Sequence, residues 1–335
     1  MNILFDTHLA QDYPEPFQSF VDRFPQHSIH VGNSEDQAYG AQNTILDQLE
    51  QVHIYVGGPL KEHQYDQAHS LLAHFIPYTG VNRFPLNYLK KRGIHLVNNH
   101  GNAPAVAERA LALALAVSGR VVEFHQDLAK GSWHRNPPPE PVFDLWKSLR
   151  GARIGIMGCG AIAQEFVQLV QGFKPTITGF RKNLQKPIPP GFDVITDSLD
   201  QVLSGQDLIL LALPETSDTK GILGEAQLRL AKGAILINVS RAELIDELAL
   251  YTSLLTGELS GAGLDVWYRY PSPYYSKEQP GNYDFAGLPQ VVMSPHAASH
   301  SQEGKLGQWL ETLSALEEYL LTGTCHSLVD LEAGY

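Results

Sequence analysis

Short apolar runs alternate with longer stretches of helical period along the whole chain, a pattern that predicts α/β architecture with parallel strands. In the first part of the chain the runs predict strands at Asn2–Phe5, Ser28–Val31, His53–Val56, Ala73–Ile76 and His95–Val97. A helix over Pro85–Arg92, closed by Gly93, lies among them. A second array predicts strands at Arg153–Met157, Thr176–Gly179, Val194–Thr196, Asp207–Leu211, Ala234–Asn238, Gly261–Leu264 and Val291–Ser294. Between the arrays, APAVAERALALALAVSGRVVEFHQDLAK (103–130) reads as one Ala/Leu-rich helix, with Pro104 in its first turn and Gly119 as a point of bending. Pro137, Pro138, Pro139 and Pro141 then predict a surface loop over 131–142, and Gln302–Leu321 predicts a closing helix. The Gln-rich stretch 35–51 is expected to be solvated helix and loop, and there is no internal repeat.

The chain has 335 residues, enough for two domains each with its own core. A net charge of -12 provides no basic field, which argues against nucleic acid and anionic membrane as partners. The only cysteines, Cys159 and Cys325, have no CxxC spacing, and the histidines show no ligand spacing, so no metal is expected. The start MNILFDTH lacks a basic segment followed by an apolar core, and ALALALAV (110–117) is far shorter than the roughly 20 apolar residues of a membrane span. These features predict a cytoplasmic protein without a membrane segment.

The chemistry starts at GARIGIMGCGAIAQEFVQLV (151–170), where Gly158-Cys159-Gly160-Ala161-Ile162-Ala163 forms a G-x-G-x-x-A turn between a strand and an amphipathic helix. Gly158 permits the tight turn, and Gly160 lets a pyrophosphate approach the backbone. Ala163 allows close helix–strand packing, and the helix N-terminus provides partial positive charge. The residue that reads the ribose is expected about 20 positions on, at the end of the second strand. In TITGFRKN (176–183) that place holds Arg181, Lys182 and Asn183. An acid there would accept from the 2'-hydroxyl of NAD; cations suit the 2'-phosphate of NADP. NADP(H) is therefore the expected cofactor, with NAD(H) still possible. Further on, Arg241, Asp265 and His296 each follow a strand, where open α/β sheets bind ligands. A bidentate arginine for a carboxylate and a histidine that passes a proton suit hydride-transfer chemistry on a keto or hydroxy acid.

Together with VAE at Val106-Ala107-Glu108, and with ALPETSDTKGIL (212–223), NVSRAELID (238–246) and SPHAASHS (294–301), these segments resemble the D-isomer-specific 2-hydroxyacid dehydrogenase family, glyoxylate and hydroxypyruvate reductases included. The resemblance implies two doubly wound parallel-sheet domains. A Rossmann cofactor domain, 99–298, would be inserted into a discontinuous flavodoxin-like substrate domain, 1–98 and 299–335. It implies that Arg241 orients the substrate, that His296 is the proton donor, and that Thr79, Gly80 and Asn102 bind the substrate. Leu213, Pro214, Thr219, Val239 and Ser240 join the turn residues in the cofactor set, and Asp265 would face the nicotinamide carboxamide. The partner would be a small 2-keto or 2-hydroxy acid, and the 103–130 helix would form a homodimer. The sequence departs from the family where a catalytic Glu is usual, because that position is Tyr270. A neutral side chain there leaves two other readings open. One is an NADP-binding protein with weak or no catalysis; the other is a formate-dehydrogenase-like oxidase, which Trp267 favours and Arg181 opposes.

Overall fold

The protein is described from a computed structural model that covers residues 1–32, 46–133, 145–272 and 276–335. Most of the Gln-rich stretch (35–45) and of the proline-rich loop (134–142) lies outside the described residues. The chain divides into two compact units, Met1–Asn102 with Ser301–Tyr335, and Ala103–His300.

The first unit holds five strands: β1 (Asn2–Asp6), β2 (Ser28–Val31), β3 (Ile54–Gly57), β4 (Ala73–Phe75) and β5 (His95–Val97). All are parallel, in the order β2-β1-β3-β4-β5. This is the flavodoxin-like winding, whose order reverses between β1 and β3. Strands β3 and β4 are buried along their whole length, as expected where helices cover both faces of a parallel sheet. The helix Gln302–Thr322 returns the C-terminal segment to this sheet. Ser301 caps its start by accepting from Gly304 N, and Gly323 ends it at φ 77°. Its Trp309 is fully buried, with its ring 5.7 Å from that of Phe5 in β1. A close approach secures the same helix. A Cβ on Gly101 would lie 2.2 Å from the carbonyl oxygen of Gly307, and one on Gly307 would lie 2.2 Å from that of Gly101.

The second unit holds seven parallel strands: β6 (Arg153–Met157), β7 (Thr176–Phe180), β8 (Val194–Thr196), β9 (Leu208–Leu211), β10 (Ile235–Asn238), β11 (Gly261–Leu264) and β12 (Val291–Met293). Their order is β12-β11-β10-β9-β6-β7-β8, which reverses between β6 and β9, as in a Rossmann domain. The segment 103–130 is not one bent helix but two, Ala103–Ser118 and Val121–Ala129. The break lies at Arg120, whose φ of 51° is left-handed. Its guanidinium folds back onto Glu123, 2.8 Å from Nε to Oε2, and over the Phe124 ring. The first of these helices packs so closely on β11 that a Cβ on Gly263 would stand 2.8 Å from Leu113 Cβ, and one on Gly261 2.7 Å from Val117 Cγ1. The two glycines of GAGL are thus required by the helix above them.

Candidate active site and dinucleotide crevice

The turn after β6 lies at the point where the strand order of the second sheet reverses. Gly158 adopts φ 104°, and a Cβ there would lie 2.6 Å from the Ala212 carbonyl oxygen after β9. Only glycine fits. Gly160 differs. Its φ of -79° suits any residue, and no heavy atom lies within 4 Å of where its Cβ would be. The fold itself therefore does not demand glycine at 160, whereas a pyrophosphate laid against the backbone at the start of helix Ala161–Val170 does. Ala163, in the first turn of that helix, is fully buried. The residues present fit a dinucleotide.

The middle residue of the turn, Cys159, packs inward. Its thiol donates to the Phe180 carbonyl at 3.6 Å, and burial pushes its pKa up to about 11, against the opposing charge of Arg181. The thiol is therefore protonated at neutral pH and serves as packing. After β7, Arg181 donates through Nη1 to the Pro187 carbonyl at 3.1 Å and through Nη2 to that of Lys186. Each terminal nitrogen carries a second N–H. Lys182 Nζ donates to Asp218 Oδ2 at 2.6 Å, and the Asn183 side chain accepts from Gln185 N. Across the turn, Thr219 Oγ1 donates to the Pro214 carbonyl at 2.7 Å and accepts from Thr216 N, so this hydroxyl shapes the loop 214–219. Ser240 does similar work by donating to the Leu213 carbonyl, and Val239 is buried.

Arg241 and His296 follow β10 and β12 on the same edge of the sheet, on either side of β11. Buried Asn238 shapes the turn that carries Arg241: its Nδ2 donates to the Arg241 carbonyl at 2.9 Å, and its Oδ1 accepts from Ser240 N at 3.0 Å. Arg241 Nη1 donates to the Ser240 carbonyl at 2.7 Å. His296 has φ 56°, a conformation that costs a side-chain-bearing residue about 1–2 kcal/mol. Asp265, at the end of β11, holds it there. Oδ1 accepts from Ser294 Oγ and from Ala297 N at 3.0 Å, and Oδ2 accepts from Ala298 N at 2.9 Å. Trp267 Nε1 adds a bond to the Ser294 carbonyl at 2.8 Å. Asp265 is 0% exposed. Its carboxylate oxygens are both engaged by donors of the loop. Asn238 and Ser294 were not anticipated; their only signal is a polar residue closing an apolar strand run.

The Tyr270 ring lies 5.5 Å from the His296 ring, inclined at 47°. Its hydroxyl accepts from Trp267 N at 3.1 Å. Although Tyr270 is 42% exposed, its hydroxyl points into its own turn, and burial raises its pKa above the usual phenol value, with Arg241 opposing. Tyr270 is thus neutral where a carboxylate would be charged. In the first unit, Thr79 Oγ1 donates to the Asn99 carbonyl at 2.8 Å and lies 3.2 Å from Asn102 Oδ1, and Asn98 Nδ2 donates to the Thr79 carbonyl. Thr79 and Asn102 are therefore neighbours, with Gly80 next in the same loop. Among the described residues no group of three or more His, Cys, Asp or Glu is arranged to hold a metal, and no helix is long and apolar enough to cross a membrane.

The strand order and the glycine turn define a dinucleotide-binding α/β protein. The family model described as D-isomer specific 2-hydroxyacid dehydrogenase, NAD binding domain, matches residues 111–298. A glyoxylate reductase of Thermococcus litoralis is 32% identical over 231 residues, 68% of this chain and 67% of that protein. One of Korarchaeum cryptofilum is 29% identical over 274 residues, 80% of each. Among solved structures, D-2-hydroxyisocaproate dehydrogenase superposes with a TM-score of 0.78 at 23% identity, covering 98% of this chain and 99% of that one. An acyclic imino acid reductase in complex with NADPH and D-Arg gives 0.78 at 24%, covering 98% and 100%. At these identities the two structures speak for the fold. The chain belongs to the D-isomer specific 2-hydroxyacid dehydrogenase family and is an NAD(P)-dependent enzyme of that family.

Proposed function

We propose that the protein is an NADPH-preferring reductase of small 2-keto acids, running the reverse oxidation of D-2-hydroxy acids when products dominate. The observation that carries this reading is the placement of Arg241 and His296 after β10 and β12, on either side of β11 in the dinucleotide-binding sheet, with the His296 loop pinned by Asp265. The nicotinamide, when bound, supplies or takes the hydride. Arg241 clamps the substrate carboxylate through two parallel N–H donors. His296 gives a proton to the carbonyl oxygen as it becomes a hydroxyl, and takes it back in the oxidative direction. Thr79, Gly80 and Asn102 bind the substrate, and Tyr270 packs on His296 without adding charge. The glyoxylate reductases among the relatives support a substrate of this small size.

Gly158, Gly160, Ala161 and Ile162 hold the pyrophosphate, and Arg181, Lys182 and Asn183 take the 2'-phosphate. Leu213 and Pro214 line the opposite side. A charge-assisted bond of about 1.5–3 kcal/mol gives NADPH a roughly 10–100-fold advantage over NADH. Two unpaired cysteines suit a cytoplasmic setting. The apolar side chains of Leu115, Val121, Leu128, Trp133, Leu145 and Trp146 are exposed and support a homodimer through the 103–130 region. Sedimentation at micromolar concentration checks this: a dimer mass is expected, and a monomer would overturn it.

Replacing Arg241 by Lys tests the substrate role. The reading expects kcat/KM on 2-keto acids to fall at least 100-fold, roughly the loss of about 3 kcal/mol of paired hydrogen bonding. The Kd for NADPH should stay within about twofold. Unaltered turnover would place the carboxylate site elsewhere.

A further inference from the structure

We infer that Asp218 is a specificity-determining residue for the cofactor, competing with a 2'-phosphate for Lys182 and holding the NADPH preference below what the two cations alone would give. The inference rests on the cofactor reading above. In the sheet, β6 lies between β7 and β9. The glycine turn follows β6, Lys182 follows β7, and Asp218 lies in the loop after β9. Lys182 Nζ and Asp218 Oδ2, 2.6 Å apart, therefore join the loops on the two sides of the turn.

The loop that carries Asp218 is a built structure. Thr219, 8% exposed, bonds Pro214 and Thr216 through its hydroxyl, and Asp218 N donates to Thr216 Oγ1 at 3.3 Å. The main chain at Asp218 is thus held in place, and its exposed side chain starts from a fixed point. The Lys182 ammonium, in turn, keeps the Asp218 carboxyl below the usual carboxylate range. The neighbouring cation is committed differently, since both terminal nitrogens of Arg181 donate to the main-chain carbonyls of Lys186 and Pro187. Lys182 is therefore the cation whose charge is contested by a carboxylate. A 2'-phosphate carries nearly two negative charges. It must draw Lys182 from Asp218 or share it, and it also meets the like charge of Asp218. A 2'-hydroxyl makes neither demand, so NADH binds with the ion pair intact.

The test is calorimetric titration of NADPH and NADH into the full-length protein, its Asp218→Asn and Lys182→Met variants and the double variant, at low and high salt. Both positions are exposed, and unchanged melting temperatures verify folding. At low salt Asp218→Asn should tighten NADPH by about two- to fivefold, the scale of an exposed ion pair, and leave NADH within experimental error. High salt should shrink the gain. With Lys182→Met in the background, Asp218→Asn should lose most of its effect. In addition, the Asp218 carboxyl, followed by carbon NMR, should titrate at higher pH once NADPH is bound. Equal shifts for both cofactors, or an undiminished gain in the Lys182→Met background, would overturn the competition. A wild type that favours NADPH with no response to Asp218→Asn rejects this inference alone. A wild type without preference, with Lys182→Met binding NADPH normally, rejects the cofactor reading as well.

Discussion

Two glycines at the strand-order reversals of the two sheets, Gly57 and Gly160, are required for different reasons. Gly57 ends β3, where the order of the first sheet reverses, and a Cβ there would meet the Tyr55 hydroxyl at 2.7 Å and the Asp6 carbonyl at 2.9 Å. Gly160 follows β6 at the reversal of the second sheet and meets nothing within 4 Å. The first glycine serves packing within the protein; the second leaves room for a ligand. A glycine at such a reversal therefore indicates a binding surface only where the fold leaves its missing side chain unfilled.

Substitution at these two positions gives the largest expected effects. Gly160→Val should loosen either nicotinamide cofactor at least 100-fold, about 2.7 kcal/mol, with a melting temperature close to wild type. Gly57→Ala should do the reverse, lowering stability by about 1–3 kcal/mol through overpacking. Thermal melts and cofactor titrations on both variants check the pair. If Gly160→Val melts far below wild type while Gly57→Ala does not, the contrast between these two glycines is wrong.

Buried titratable groups sharpen the same comparison. In the first unit, His74 is fully buried; its Nδ1 lies 2.7 Å from the Tyr65 hydroxyl and its Nε2 3.3 Å from the Gly57 carbonyl. A neutral ring with Nε2–H satisfies both. Burial lowers its pKa to about 4, with the nearby carbonyls opposing. The depressed value means that the unfolded chain binds the proton more readily. The stability from a neutral His74 is thus complete above about pH 6.5 and is lost as pH falls from there to about 4. The loss is on the order of 3 kcal/mol. Melts between pH 7 and 4 on wild type and His74→Phe should show a shallower acid limb in the variant, and parallel limbs would remove His74 from the account.

Asp265 is the second unit's counterpart, buried and committed to presenting a functional loop. Asp265→Asn keeps one acceptor oxygen and gives up the charge, so the left-handed His296 loses part of its restraint. A fall of about tenfold in kcat/KM for 2-keto acids is expected, the scale of one charge-assisted bond, with cofactor Kd within about twofold. Weakened cofactor binding with intact turnover would return Asp265 to the nicotinamide contact that the sequence suggested.

Much of the fold was legible because buried parallel strands are continuous apolar runs, and every strand expected from the sequence is present to within a residue or two at its ends. At Gly119 the sequence signals a bend but not the full break at Arg120, since helical period runs straight through it. The positions of the glycine turn, Arg241 and His296 at strand ends were legible because each follows an apolar run. The hydrogen bonds of Asp265 to Ser294, Ala297 and Ala298 were not, because they join residues distant in sequence and two of the three donors are main-chain N–H groups. The Lys182–Asp218 pair was hidden for a related reason: the two residues approach only when β7 and β9 flank β6.

The central claim is reduction of a 2-keto acid carboxylate-clamped by Arg241, and steady-state reduction of a panel of small 2-keto acids, glyoxylate included, with NADPH and with NADH tests it most directly. The account predicts turnover of at least one panel member, faster at limiting NADPH than at limiting NADH, and its collapse in Arg241→Lys. Tight NADPH binding without turnover of any 2-keto acid would contradict it and leave a cofactor-binding protein whose Tyr270 has replaced the usual carboxylate.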